Sequence, residues 1–282
     1  MSLATPTYTT VLARAFRLPK AGNSADEYED AHATGPDGAA ELDVFRCAVA
    51  DGATETSFAG CWARLLAEGY CAGRFADAPL AEALVPLQAA WHTEIDGLAL
   101  PWYAEEKARQ GAFAALAGLT LIGKDGASGG EWSALAAGDS CLFQVRGEEL
   151  LVAFPLTASS AFTNQPALLA TESARNMVFS GDSDAATPAL QRAASDWQPG
   201  DAFYLLTDAL ACWFLAAHER GDRPWVALDA FGWAGAAADR AFAGWIAARR
   251  AAGDLRNDDV TLLRVVVGEV PSASEAAKRA DQ

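Results

Sequence analysis

The sequence predicts an α+β protein in which antiparallel sheets are covered by paired helices. Three observations support this fold class. The predicted elements run along the chain as strands, helices, strands, helices and a final strand, an order that suits segregated sheets and helices. Residues 142–146 and 150–155, separated by Gly147-Glu148-Glu149, have the pattern of a β-hairpin. Finally, several apolar runs end abruptly at an aspartate, as buried strands do where they reach a turn.

The first half of the chain contains strands followed by helices. Period-2 patterning predicts a strand at 9–18, a polar loop at 20–27, and a second strand that begins within 29–32. A buried strand at 42–50 ends at the turn signal Asp51-Gly52, and the polar residues 54–57 offer helix caps. Apolar residues at helical spacing then predict helices at 58–70, 79–96 and 101–114.

The second half repeats this order. Strands are predicted at 116–122 and 131–137 around a glycine-rich turn, followed by the hairpin and an irregular stretch over 157–199. A short strand at 202–206 leads to helices at 209–220, 225–231 and 236–252, and a last strand lies at 260–267. The chain has neither a linker nor an internal repeat. We therefore expect one domain over 1–268 and a polar tail over 269–282.

Composition excludes several classes of partner. The formal net charge of −16 over 282 residues argues against nucleic acid or an anionic membrane surface, since both require a basic patch. No apolar run approaches the ~18 residues that span a bilayer, and the N-terminus lacks the pattern of a signal peptide. The five cysteines are scattered in apolar runs, which is typical of buried thiols in a reducing compartment. These features predict a cytoplasmic protein.

Carboxylates follow or precede four of the predicted strands. Asp51 follows the strand at 42–50, Asp139 follows 132–137, Asp208 follows 202–206, and Asp258 opens the last strand. Such side chains are hard oxygen ligands that select Mg²⁺, Mn²⁺ or Ca²⁺, and three histidines do not suffice for a histidine-rich site. Two such ions ~3.5–4 Å apart would activate a water and neutralise a phosphoryl group, which predicts a phosphohydrolase. The alternative is that each aspartate is an ordinary turn residue.

Taken together and in order, these residues resemble the metal-dependent protein phosphatases of the PP2C (PPM) type, over nearly the whole chain from Val11 to Val267. The motifs that carry the resemblance are Glu29-Asp30-Ala31, Ala50-Asp51-Gly52, Gly138-Asp139-Ser140, Thr207-Asp208-Ala209 and Asp258-Asp259-Val260-Thr261. The resemblance implies a four-layer α-β-β-α sandwich with two central antiparallel sheets. It also implies a site for two Mn²⁺ or Mg²⁺ ions at one end of the sandwich.

The resemblance assigns a role to each motif residue. Asp51 would bridge both metals, with the Gly52 carbonyl and Glu29 or Asp30 completing one side. Asp208 and Asp258 would hold the other metal, so that Asp51, Asp208 and Asp258 form the catalytic set. Asp139 would match an acidic residue that helps bacterial relatives hold a third, weaker metal. Asp259 stands where the family often has Asn and is a candidate for supporting the ligands from behind.

The chain also departs from the family pattern. An Arg that binds substrate phosphate usually precedes the residue matching Asp30 by five positions, and this chain has Ala25 there. Arg17 or Lys20 is the candidate replacement. Segment 162–166 falls where the family has a variable flap, and both substrate contact and a plain surface loop remain open for it.

The resemblance implies a bacterial-type phosphatase of protein phosphoserine and phosphothreonine that acts in signalling. Its substrate would be a phosphorylated protein, attacked directly by a metal-bridged hydroxide. The rival hypothesis is a PP2C-fold protein that binds metal or a phosphorylated partner and turns over poorly. Ala25 favours the rival, whereas the acidic set favours the enzyme.

Overall fold

The computed structural model describes residues 10–35, 40–41, 43–53, 58–76, 78–99, 102–123, 129–179 and 189–268. The expected helix caps at 54–57, most of the glycine-rich turn after residue 123 and the polar tail lie outside these residues. In the part of the chain described, no helix is both long enough and apolar enough to cross a membrane.

Two antiparallel sheets form the centre of the molecule, as the resemblance implied. Sheet A contains β1 (Thr10–Leu18), β3 (Ala40–Glu41), β7 (Cys141–Arg146), β8 (Glu149–Phe154), β11 (Asp201–Leu206) and β12 (Val260–Gly268), in the order β3-β1-β12-β11-β7-β8. Sheet B contains β2 (Asp30–Thr34), β4 (Val44–Gly52), β5 (Phe113–Gly123), β6 (Gly130–Ala137) and β10 (Leu190–Trp197), in the order β10-β6-β5-β4-β2, with β9 (Leu169–Ala170) paired to β5.

Helices cover the outer faces of both sheets. Helices α1 (Ala59–Cys71) and α2 (Leu80–Asp96) pack on sheet B through a cluster that includes the buried Trp62 and Trp91. Helices α4 (Asp208–Glu219), α5 (Pro224–Asp229) and α6 (Gly235–Ala252) pack on sheet A. A third cluster, with Val49, Leu119 and Val265, fills the space between the sheets. The architecture is therefore the four-layer α-β-β-α sandwich, because each sheet buries one face against the other sheet and one against helices.

The irregular stretch predicted over 157–199 is wrong in part, because β10 occupies Leu190–Trp197. This strand lies at the edge of sheet B, and most of its side chains are exposed or partly exposed, with Trp197 buried at its end. Alternation of apolar and polar residues is the sequence pattern that predicts a half-buried strand. An edge strand with mostly exposed side chains shows little of this alternation, so the pattern does not predict β10.

The helix predicted over 101–114 is also shorter than expected. Helix α3 covers Trp102–Arg109, and from Phe113 the chain is already in β5. Gly111, at φ +75°, ends the helical conformation because left-handed backbone favours glycine. The apolar residues after it belong to a buried strand, whose continuous apolar pattern is not distinguishable from a short helix.

Strand pairing brings the acidic motifs to one end of the sandwich. Asp30 at the start of β2 lies directly opposite Asp51 at the end of β4. In sheet A, the amide of Thr207 donates to the carbonyl of Thr261 (3.2 Å), so the end of β11 meets the start of β12. Antiparallel neighbours place the end of one strand beside the start of the next, and this puts the aspartates at a common rim.

Close packing of α1 on sheet B generates a prediction about stability. A Cβ built on Gly118 would lie 2.3 to 2.5 Å from ring carbons of Tyr70, whose side chain is buried. We expect Gly118→Ala to destabilise the fold by about 1–3 kcal/mol, because the buried ring of Tyr70 would have to shift to make room for the methyl group. Chemical denaturation measures the change.

Gly244→Ala is the matched control. Gly244 is exposed within α6, and a Cβ there would meet nothing within 4 Å. Alanine should therefore be neutral or stabilise the helix by up to about 1 kcal/mol. Equal effects from the two substitutions would contradict the packing of Tyr70 on Gly118.

Candidate functional site

A cavity of about 480 Å³ opens at the acidic end of the sandwich. Among the residues that the structure describes, four carboxylates from separate segments line it: Asp51, Asp139, Asp208 and Asp258. They come from the end of β4, the turn between β6 and β7, the first residue of α4 and the turn before β12. The lining also includes Thr163, Asn164, Gln165, Pro166 and Leu168. The segment expected at the flap position therefore lines the same cavity as the aspartates.

Gly52 allows the chain to pass close behind Asp51. Its amide donates to the carbonyl of Glu29 (3.3 Å), and a Cβ at residue 52 would lie 2.7 to 2.9 Å from that carbonyl and from atoms of Ala59. A larger residue would push β4 away from the first turn of α1 and from Glu29. The glycine is thus required by the packing that holds Asp51 in place.

Asp51 lies at the centre of the acidic cluster. Burial raises the pKa of its carboxyl well above the usual range, and repulsion from Asp30, Asp139 and Asp258 raises it further. Burial likewise raises the pKa of Asp139 to about 6, an effect that the nearby guanidinium of Arg256 reduces. Where carboxylates raise one another's pKa, binding of a cation is favourable because it relieves their repulsion.

Asp30 is buried and is held by two hydroxyl groups. Thr207 and Thr261 donate to its Oδ2 at 2.9 and 2.8 Å. Its other oxygen, Oδ1, is buried and has no hydrogen-bond partner among the described residues. Burial raises the pKa of Asp30 to about 7, against the lowering effect of the two hydroxyls. An unpartnered buried carboxylate oxygen is costly and marks a place for a ligand.

Asp259 orders the backbone behind the cluster. Its carboxylate accepts hydrogen bonds from the amides of Lys20 (2.8 Å) and Glu29 (2.7 Å), and it is only 6% exposed. It therefore fixes the loop between β1 and β2 and sets the position of Glu29. Its role in supporting metal ligands stays a prediction.

The remaining predicted residues lie beside the cavity and do not line it. Glu29 and Lys20 line a neighbouring depression together with Phe58 and Cys61. The exposed Arg17 lies opposite Thr261 in the backbone pairing of β1 with β12. Their predicted roles stay predictions, because these contacts do not test them.

Arg256 lies outside the sequence motifs, yet it contacts the carboxylates of the cavity. Within the described residues that line the cavity it is the one cation, and its guanidinium pairs with Asp208 and lies 3.5 Å (Nε) from Oδ2 of Asp258. The available signal was an arginine two positions before the Asp258-Asp259 pair. An arginine in a turn is common, so only the tertiary contact distinguishes it.

The donor set has the chemistry of a site for divalent cations, but its arrangement is not that of an assembled one. All of the clustered groups are oxygen donors, and Asp30 offers a free buried oxygen. Over the residues described, no three acidic, histidine or cysteine side chains stand at the spacing of metal ligands. Instead, the carboxylates of Asp208 and Asp258 form ion pairs with the guanidinium of Arg256.

Comparison with known proteins gives structural likeness without sequence likeness. No family model matches this chain, and no curated protein matches it. The serine/threonine phosphatase PstP/Ppp of Mycobacterium tuberculosis is similar in structure, with a TM-score of 0.52 and 15% identity over 92% of this chain and 100% of that chain. The catalytic domain of PstP in complex with two manganese ions gives 0.52 and 16% over 93% of this chain and 100% of that chain.

A bacterial serine phosphatase is also similar, with a TM-score of 0.51 and 10% identity over 92% of this chain and 99% of that chain. At such identities the likeness shows the fold. The chain has the fold of the PP2C-type phosphatases, as its motifs predicted.

The raised pKa of Asp30 predicts a dependence of stability on pH in chelator-treated protein. The folded state keeps this proton up to about pH 7, whereas an unfolded Asp loses it near pH 4. Unfolding therefore releases a proton between these values, and stability should fall as pH rises through this window and level off above it. We expect a change on the order of a few kcal/mol.

The comparison with Asp30→Asn isolates this effect. Denaturation midpoints at pH 5 and pH 7.5 should differ less in the variant than in the wild type, because the amide does not titrate. Equal pH slopes in the two proteins would contradict the buried, raised state of Asp30.

Proposed function

We propose that this protein is a metal-dependent phosphohydrolase that acts on phosphoserine and phosphothreonine in proteins. The observation that carries the proposal is the convergence of Asp51, Asp139, Asp208 and Asp258 on one cavity of a PP2C-type fold. Structures with this fold include serine/threonine phosphatases, one of them with two manganese ions.

The residues fit a pair of Mn²⁺ or Mg²⁺ ions by the chemistry of their donors. Asp51 and the Gly52 carbonyl would hold one ion with Glu29 or Asp30, and Asp208 and Asp258 would hold the other. Asp139 would contribute to a third and weaker site. Such ions, when bound, lower the pKa of water and neutralise the charge of a phosphoryl group. They would also relieve the repulsion that raises the pKa of Asp51.

The protein's own contribution is to position these carboxylates and to shape the space beside them. Thr207 and Thr261 orient Asp30, and Asp259 sets the backbone of Glu29. Charged groups held in advance need no reorganisation when the phosphoryl group arrives. The cavity lining also includes Thr163, Asn164, Gln165, Pro166 and Leu168. We propose that residues flanking a phosphorylated side chain contact this segment.

A binding protein with weak turnover is the second candidate function. The observation in its favour is that Arg256 already pairs with two of the proposed ligands. Arg17 and Lys20 remain the predicted replacements for the missing phosphate-binding arginine at Ala25. Hydrolysis of p-nitrophenyl phosphate and of a phosphoserine peptide, with and without Mn²⁺, discriminates the two functions.

We expect hydrolysis to depend on added metal. An open set of oxygen ligands binds Mn²⁺ or Mg²⁺ reversibly, so chelation with EDTA should remove activity and either ion should restore it. Mn²⁺ at a hundred times its Kd should also stabilise the fold by about 2.7 kcal/mol. Full activity after exhaustive chelation would contradict the proposed metal centre.

Asp51→Asn should lower kcat by about a thousandfold while the fold is retained. An amide carries no charge with which to neutralise cations, and loss of such electrostatic stabilisation costs several kcal/mol at the transition state. Circular dichroism checks the fold. Asp222→Asn, which alters an exposed aspartate paired with Arg220 on the surface, is the control and should leave the rate unchanged. If Asp51→Asn kept the wild-type rate, Asp51 would have no role in catalysis and would be an ordinary turn residue.

A further inference from the structure

We propose that Arg256 is a built-in counter-ion of the carboxylate cluster, which a divalent cation displaces and which then binds the substrate phosphate. The inference rests on the proposed function and names a phosphate-binding residue for the same site. It starts from a contact of this chain: the guanidinium of Arg256 pairs with Asp208 and approaches Asp258.

Arg256 reaches the cluster from the solvent side. Its side chain is 52% exposed, whereas that of Asp208 is only 13% exposed. Arg256 lies in the turn between Gly253, which ends α6 in the left-handed conformation, and β12. An exposed arginine in a turn can change its side-chain rotamer without disturbing the core, because little apolar surface has to be uncovered.

The charge balance of the cavity favours exchange of this cation for a stronger one. Among the described residues, four carboxylates and one guanidinium line the cavity, so these groups carry a net negative charge when the carboxylates are ionised. A dication interacts with each carboxylate about twice as strongly as a guanidinium does at the same distance. Asp208, whose carboxylate pairs with Arg256, is one of the proposed metal ligands. Metal and arginine therefore compete for it.

Release from Asp208 leaves the guanidinium at the edge of the cavity. There it is the cation that lines the cavity among the described residues, and Arg17 and Lys20 are absent from that lining. A guanidinium presents five donors in a planar fork that matches two phosphate oxygens. The same side chain thus neutralises the cluster before metal binds and is available to an anionic substrate afterwards.

This exchange couples metal binding to phosphate binding. Without metal, Arg256 is engaged and the remaining carboxylates repel phosphate. With metal, the repulsion is removed and the guanidinium is free, so the two ligands should bind cooperatively. The alternative is that Arg256 only tethers the turn at 253–259, in which case metal affinity is independent of it.

The test compares Arg256→Gln with the control Arg220→Gln. Arg220 is similarly exposed (59%), pairs with Asp222, and caps the far end of α4, roughly 18 Å from Asp208 by helix length. Both substitutions remove one positive charge. Titration calorimetry with MnCl₂ on chelator-treated protein, followed by inorganic phosphate on the Mn²⁺-loaded protein, measures the two affinities.

We expect Arg256→Gln to bind Mn²⁺ about three- to tenfold more tightly, since a competing cation is gone. The loaded variant should bind phosphate at least about tenfold more weakly, since charge-assisted hydrogen bonds are lost. Arg256→Lys should recover part of the phosphate affinity, because it keeps the charge without the fork. Arg220→Gln should change neither affinity. Unchanged or weaker Mn²⁺ binding in Arg256→Gln overturns the counter-ion role, and unchanged phosphate binding overturns the role of Arg256 in binding phosphate.

A parallel assay of the wild type separates this inference from the proposed function. If the wild type hydrolyses p-nitrophenyl phosphate with Mn²⁺ while Arg256→Gln binds Mn²⁺ and phosphate as the wild type does, the inference fails and the function stands. If the wild type binds Mn²⁺ without hydrolysis and Arg256→Gln shifts both affinities, the function fails and the inference stands. A wild type that binds no Mn²⁺ overturns both.

Discussion

Repulsion among carboxylates gathered at one end of the sandwich is the constraint on which the rest of this structure depends. Asp51 is surrounded by the negative charges of Asp30, Asp139 and Asp258, and each raises the pKa of its carboxyl. A fold does not assemble such a cluster for stability, because like charges brought together and desolvated destabilise it. The cost is offset by neighbouring groups, and carboxyl groups with such raised pKa values are typical of functional sites.

Several uncharged donors hold the cluster together. The hydroxyls of Thr207 and Thr261 bind Asp30 from the ends of β11 and β12, so a carboxylate of sheet B is fixed by residues of sheet A. Asp259 binds the backbone that leads into β2. These contacts join the two sheets at the functional end. The apolar cluster between the sheets joins them elsewhere.

The balance of charge connects this architecture to the proposed function. One cation of the chain itself, Arg256, enters the cluster from the solvent side and offsets part of its charge. Metal ions would offset more of it and would compete for the same carboxylate oxygens. In the exchange that we propose, the site has two states: Arg256 pairs with the carboxylates in one, and in the other a metal replaces it and leaves the arginine available to substrate.

The sequence by itself determined the fold class and the acidic motifs, because buried strands and helices leave periodic apolar patterns and because aspartates at strand ends are visible as motifs. It located α1, α2 and the hairpin of β7 and β8 closely. It missed β10, since an exposed edge strand has no apolar alternation, and it extended α3 into a buried strand. Only the tertiary structure decided which groups meet at the cavity. Arg256 contacts Asp208 from 48 positions away, and Thr207 reaches Asp30 across 177. Such contacts depend on how two sheets stack, and a local pattern of residues carries no information about that stacking.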